Sequence, residues 1–140
     1  MTISELADKS SVIQHNYVIT QEVYDSFQRC SGDLNPLHTD DAYAISKGFQ
    51  GPVMYGNILN AFISHFVGML LPAKEVMIQS QEISFHKPVY LNDEILLEAV
   101  VGQVSEVVNV IVYKLKFRRR KEDKTELVAK GHVQIGLLKK

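Results

Sequence analysis

Asp33 and His38 stand five residues apart in the stretch CSGDLNPLHTD, residues 30–40, with an Asn35-Pro36 step between them. Proline disfavours helical geometry at the residue before it and has no N–H to donate. The spacing therefore predicts an irregular, rigid loop rather than neighbours on one helix face. A carboxylate and an imidazole fixed on such a loop can divide one proton transfer, because histidine changes protonation near neutral pH. Taken alone, an Asp-x-x-x-x-His pair is more often a capping aspartate and a surface histidine. The same residues could also be read as metal ligands together with Thr39 and Asp40. With no second histidine nearby, no metal is expected.

The elements that would position this loop are legible on either side of it. NYVIT, residues 16–20, reads as a short opening strand. Thr20 is placed to cap a helix running to about Cys30, with Gly32 as its stop. HTDDAYAISKGF, residues 38–49, reads as a second short helix with Thr39 as cap and Gly48 as stop. After the constrained GFQGPVMYG segment, a helix is expected from about Gly56. Apolar residues at 58, 59, 61–63, 66, 67 and 69–71 leave it almost no polar face, so it should be wrapped on most sides. Beyond Glu75 the period changes to two. Val107, Asn109, Ile111, Tyr113, Leu115 and Phe117 alternate with Val108, Val110, Val112, Lys114, Lys116 and Arg118 in one long strand. RRRKEDKTE reads as an exposed hairpin end, residues 127–138 as its return strand, and two more strands flank the Asn92-Asp93 turn. The expected class is α+β: a largely antiparallel sheet wrapped around one buried helix.

Three segments together, SGDLNPLHTDDAYA, GFQGPVMYG and ISFHKPVYLNDEI, resemble the MaoC-like dehydratases and in particular the R-specific enoyl-CoA hydratases. The likeness runs from about Tyr17 to Ile135, and Gly-Asp-x-Asn-Pro-x-His is its most specific element. It implies a hot-dog fold and hydration of trans-2-enoyl thioesters to R-3-hydroxyacyl thioesters without a metal or redox cofactor. The thioester would be carried by coenzyme A or an acyl carrier protein. It implies Asp33 as water-activating base and His38 as its acid/base partner. The Gly56 amide would be the oxyanion donor, with Asn35 and Pro36 supporting the loop. A homodimer with the acyl tunnel near its interface is implied as well. Tyr55 stands where these hydratases commonly carry histidine, and Asn57 where an apolar residue is usual. Both, with Ser64 and Val67 at chain-length positions of the family, are expected at the substrate pocket.

The whole chain sets the remaining bounds. Its 140 residues, 46% hydrophobic and 22% charged, suffice for one domain with a real core, and residues 1–14 are expected to be loosely ordered. A net charge of −1 argues against a dedicated binder of nucleic acid or anionic membranes. The N-terminal stretch has acids and no apolar core, so no secretory signal is read there. The run from Ile58 to Leu71 is too short to span a bilayer. Cys30 is the lone cysteine, expected as a buried, inert thiol in a cytoplasmic protein. The basic run Arg118–Lys121 reads as a solvated hairpin, or more sharply as a contact for coenzyme A phosphates or an acidic carrier. His65 is expected as a hydrogen-bonded core or dimer-contact residue. Two other functions fit the same architecture: thioester hydrolysis, and acyl binding without catalysis.

Overall fold

The alternation across residues 107–118 becomes strand β4, Val110–Lys121, in a computed structural model that describes residues 1–139. Ile111, Tyr113, Leu115 and Phe117 are all buried while Lys114 and Lys116 face solvent, as a period of two requires. The strand begins later than the alternation does. Asn109 takes φ 62° and, with the fully exposed Val107, belongs to the turn that precedes it. β3 (Glu94–Ser105) and β5 (Lys124–Leu137) flank β4. Outside them lie β1 (Val12–Val18) and β2 (Val76–Phe85), giving a five-stranded antiparallel sheet in the order β1-β3-β4-β5-β2. The two strands beside the Asn92-Asp93 turn therefore do not pair with each other. β2 lies on one edge of the sheet, and β3 lies next to the other.

The apolar segment after Gly56 forms α5, Ile58–His65, and continues through a π-helical turn, Phe66–Leu70. Ile58, Leu59, Phe62, Ile63, Phe66 and Val67 pack with the inner residues of β3, β4 and β5 in one core. Phe66 meets the Tyr113 ring edge-on at 5.2 Å between centroids. Each such fully buried apolar side chain contributes about 1.5–3 kcal/mol. This is the hot-dog arrangement that the resemblance implied. The helix is less enclosed than expected. Ala61, Ser64, His65, Gly68 and Met69 remain exposed, because the sheet covers one side of the helix and the segment Gln21–Ser31 touches only part of the rest.

Residues 1–14, expected to be loosely ordered, are structured. Helix α1 (Ile3–Lys9) is capped by the Thr2 hydroxyl on the Glu5 N–H, and it buries Ile3, Leu6 and Ala7. Buried Ser10 hydrogen-bonds the Tyr113 hydroxyl at 2.7 Å, which ties the segment to β4. Ile3, Leu6 and Ala7 share one face by helical spacing, and a stretch this short announces itself only through what it covers. The opening strand likewise starts at Val12 rather than Asn16, because its length is set by pairing with β3, Val12 opposite Val100. No helix among the described residues is long and apolar enough to cross a membrane.

Candidate active site

The loop that carries the candidate dyad starts from a well-terminated helix. α2 (Gln21–Ser31) opens where the Thr20 hydroxyl accepts from the Val23 N–H, and it closes at Gly32, left-handed at φ 69°. Asp33, Leu34 and Asn35 follow without regular structure. The next residues are not the irregular loop that proline suggested. Pro36–Thr39 make a single helical turn, α3, with Pro36 in its first position and the Asn35 carboxamide oxygen accepting from the Leu37 N–H at 2.9 Å. Proline is well suited to a first helical position, where its N–H is not needed. Asp33 thus precedes the turn while His38 rides on it, and Asn35 supplies its cap. Thr39 ends this turn instead of capping the next. Asp40 caps α4 (Asp41–Ser46) by accepting from the Tyr43 N–H.

Within this frame the two side chains face each other. His38 Nε2 lies 3.9 Å from Asp33 Oδ2, and their side chains are 18% and 44% exposed. That is too long for a direct hydrogen bond and short enough for one water to touch both. The other carboxylate oxygen, Oδ1, accepts from the Asn35 N–H at 2.9 Å. His38 Nδ1 lies 2.6 Å from the Val53 carbonyl. A carbonyl only accepts, so Nδ1 carries the hydrogen and Nε2 is the position left to gain or lose a proton.

A cavity of about 410 Å³ opens beside His38, walled by Val53, Met54, Gly56, Asn57, Phe85 and Val89 among others. Asp33 is not among the residues that line it, and reaches it only by way of the 3.9 Å gap to His38. The Gly56 and Asn57 N–H groups precede α5 and donate to no acceptor among the described residues. They are the free donors that a helix start leaves. A Cβ on Gly56 would come within 3.0 Å of the Phe85 ring, so glycine keeps this backbone accessible from the cavity.

The expected pocket residues divide. Asn57 lines the cavity. Tyr55 does not, being only 2% exposed, with its ring 4.3 Å from that of His38 and its hydroxyl donating to the Asp33 carbonyl at 2.5 Å. Ser64 lies on the exposed side of α5, and Val67 is buried in the core. Neither reaches the cavity, because only the first turn of the helix borders it. His65 is exposed and hydrogen-bonds the Tyr17 hydroxyl at 2.8 Å. Cys30 is exposed rather than buried, since α2 fully buries none of its residues. Three contributors went unread in the sequence: Tyr24, whose hydroxyl donates to the His38 carbonyl at 2.7 Å, Gln28 beside it, and Phe85. Their only local signal is the four-residue spacing that puts Tyr24 and Gln28 on one face of α2.

The basic run is not uniformly solvated. Arg119 turns inward and donates to the Pro88 carbonyl at 2.9 Å, Asp93 at 3.1 Å and Glu126 at 2.7 Å. This ties the hairpin base to the His86–Val89 segment that walls the cavity, and it leaves Arg119 no free charge for a phosphate. Arg118 sits 3.9 Å from Glu98, while Arg120 and Lys121 are exposed. Donation from Lys87 and Arg119 lowers the Glu126 pKa to about 2. A folded pKa below the unfolded one means that this stabilisation is complete above the ordinary glutamate range. It is lost as pH falls from there towards about 2. Glu126→Gln should therefore lower the melting temperature at neutral pH and narrow its gap to wild type at pH 3. Melts at both values check this, and an equal gap at both overturns it.

A family model described as MaoC like domain matches residues 4–122. The chain is 36% identical over 81 residues to the (R)-specific enoyl-CoA hydratase of Aeromonas caviae, a stretch covering 58% of this chain and 60% of that relative. It is 25% identical over 120 residues to a mitochondrial 3-hydroxyacyl-[acyl-carrier-protein] dehydratase of Solanum lycopersicum, covering 86% of this chain and 72% of that one. A solved structure of an (R)-hydratase from Aeromonas caviae involved in PHA biosynthesis superposes with a TM-score of 0.80 at 25% identity, over 90% of this chain and 93% of that one. The chain thus spans less than two thirds of the length of the first of these relatives in the sequence match.

Proposed function

The chain belongs to the MaoC-like domain family, and on that premise we propose that it is a hydro-lyase interconverting trans-2-enoyl and R-3-hydroxyacyl thioesters. The observation that carries the reading is the 3.9 Å gap between Asp33 Oδ2 and His38 Nε2 beside a cavity bordered by free helix-start amides. In the hydration direction one water is held between the two groups. Asp33 withdraws a proton as the water oxygen bonds to carbon 3 of the enoyl chain. The double-bond electrons move to carbon 2, where His38, carrying a proton on Nε2 as the step begins, delivers it to complete the addition. The proton taken by Asp33 then crosses through water to Nε2 and resets the pair. Negative charge on the thioester oxygen rises in between, and the Gly56 N–H meets it. One such donor is worth about 3 kcal/mol of barrier. The reverse path returns each proton, so the fixed Nδ1–H···O=C bond of His38 keeps Nε2 as the exchanging atom in both directions. The scheme needs protein groups and water alone, with no metal or redox cofactor.

The substrate carrier in this reading is coenzyme A or an acyl carrier protein, and the working unit is a homodimer. Its support is the open side of the site. Asp33 is exposed, as are Leu34 at 67% and Phe85 at 52%, and the outer edge of β2 pairs with no strand among the described residues. A long free edge of this kind invites a second strand. A cytoplasmic location belongs to the same reading, resting on the lone thiol, and cell fractionation that finds the protein elsewhere would end it. The direct test follows the absorbance of short and medium enoyl-CoA substrates, with a free-thiol reagent in parallel and the mass in solution measured on the same sample. Loss of enoyl absorbance without thiol release, by a particle of two chains, is the expected result. Thiol release would instead make the protein a thioesterase. Silence in both assays would leave an acyl-binding module, and a one-chain mass would remove the dimer.

A further inference from the structure

Both residues of the candidate dyad are held by their main-chain carbonyls, each by a different tyrosine. Tyr24 Oη donates to the His38 carbonyl at 2.7 Å, and Tyr55 Oη donates to the Asp33 carbonyl at 2.5 Å. A tyrosine hydroxyl has one proton, so both are now committed, and only lone pairs remain on the two oxygens. Gln28 Nε2 reaches both of those oxygens, at 3.1 Å from Tyr24 and 3.2 Å from Tyr55. Its carboxamide nitrogen has two protons, one for each. Turning the carboxamide over would bring an acceptor oxygen against two oxygens with nothing to donate, so the donor count fixes its orientation.

We infer that Gln28 is a positioning residue that sets the Asp33–His38 distance through this fork. The inference rests on the hydro-lyase reading for its consequence in catalysis, though not for its geometry. The arms start from separate elements, Tyr24 on α2 and Tyr55 ahead of α5; their rings stack at 5.6 Å between centroids, and Gln28 is the group that hydrogen-bonds both hydroxyls. The Tyr55 ring also lies 4.3 Å from that of His38 and 4.9 Å from that of Phe27, so the tyrosine fills the space under the imidazole while its hydroxyl holds the aspartate. A gap that must fit one water tolerates little drift, and a misplacement of about 1 Å can cost a hundredfold in rate. Asp33 lies on an exposed stretch with no regular structure, where only bonds to near neighbours, from the Asn35 N–H to its carboxylate and from its own N–H to the Ser31 hydroxyl, otherwise resist such drift.

The test is Gln28→Met, which keeps the length and removes both N–H groups, compared with Tyr24→Phe, Tyr55→Phe and the triple variant. Gln28→Met should lower kcat for enoyl-CoA hydration about tenfold or more while KM stays within about twofold, since the cavity wall is untouched. Adding it to the double tyrosine variant should cause no further loss, because the arms it serves are already gone. Hydrogen exchange of residues 33–39 should speed up in Gln28→Met, a readout that needs no activity. The two failures are distinct. A wild type that hydrates nothing sinks the hydro-lyase reading. Unchanged exchange of residues 33–39, or an unchanged kcat in an active enzyme, overturns the fork.

Discussion

Asp33→Asn and His38→Ala each reduce enoyl-CoA hydration by about a hundredfold or more, while both proteins stay folded. The size follows from what each change removes. Asparagine keeps the shape of Asp33, including the oxygen that accepts from the Asn35 N–H, but it has no basic oxygen to take a proton from water. Alanine at His38 removes the one ring nitrogen left to exchange a proton and the Nδ1 hydrogen bond to Val53. General acid–base groups of this kind typically account for about 10²–10⁴ in rate. Asp33→Asn should melt close to wild type because Asp33 is exposed and the carbonyls that the tyrosines hold are main-chain groups. His38→Ala should melt lower, because it leaves the Val53 carbonyl without its partner and the Tyr55 ring without its neighbour. Substrate binding should change less than turnover, since the free amides at Gly56 and Asn57 and the cavity wall remain. Initial rates over a range of crotonyl-CoA concentrations, with circular dichroism melts, decide the matter. Retention of more than about a tenth of the wild-type kcat in either variant would remove that residue from the chemistry.

Gly131→Ala destabilises the fold by on the order of 3 kcal/mol or more, and Gly136→Ala by clearly less. Both glycines lie on β5, and a side-chain argument alone would treat them alike. A Cβ on Gly131 would sit 1.9 Å from the Glu82 carbonyl oxygen and 2.9 Å from the Ile83 Cα, main-chain atoms of β2. Nothing there can rotate away. The methyl must displace the edge strand itself, breaking the pairing that puts Gly131 opposite Ile83. On Gly136 the first obstacle is the carboxamide of Gln79 at 2.3 Å, the end of a flexible, exposed side chain. Swinging it aside breaks its hydrogen bond to Gln134 and costs about 1 kcal/mol. Denaturant unfolding of the two variants measures the difference. Equal midpoints would mean that β2 shifts as easily as a glutamine side chain, and the close strand approach at Gly131 would lose its structural meaning. Because β2 ends at Phe85, beside Gly56, Gly131→Ala should also weaken activity in whatever fraction stays folded.

The parts legible in the sequence are those fixed by residues within about four positions of one another. Thr20 and Gly32 bound α2 because a capping hydroxyl and a left-handed glycine act on backbone groups a single turn away. The period of two marked β4, since inward and outward side chains meet different solvents whatever strand lies beside them. Asp33, Asn35, Pro36 and His38 could be read together because their contacts run through the same short backbone. Even there, proximity misled: proline in the motif suggested a loop, whereas at a first helical position it opens a turn.

What the sequence left open depends on pairs that are distant along the chain. Gln28 and Tyr55 meet across 27 residues, and Arg119 reaches Asp93 across 26. No local preference records such meetings, because they exist only once the sheet order and the path of α5 have brought the elements together. The same holds for α1, whose helix is worth forming mainly because β3 and β4 offer a surface to cover. Tyr55 is the clearest case. Its place beside Gly56 suggested a pocket residue. Its burial, settled by α2 packing across it, turned the ring under His38 and its hydroxyl towards Asp33. Sequence determined which groups are available for proton transfer, and tertiary packing decided how far apart they stand.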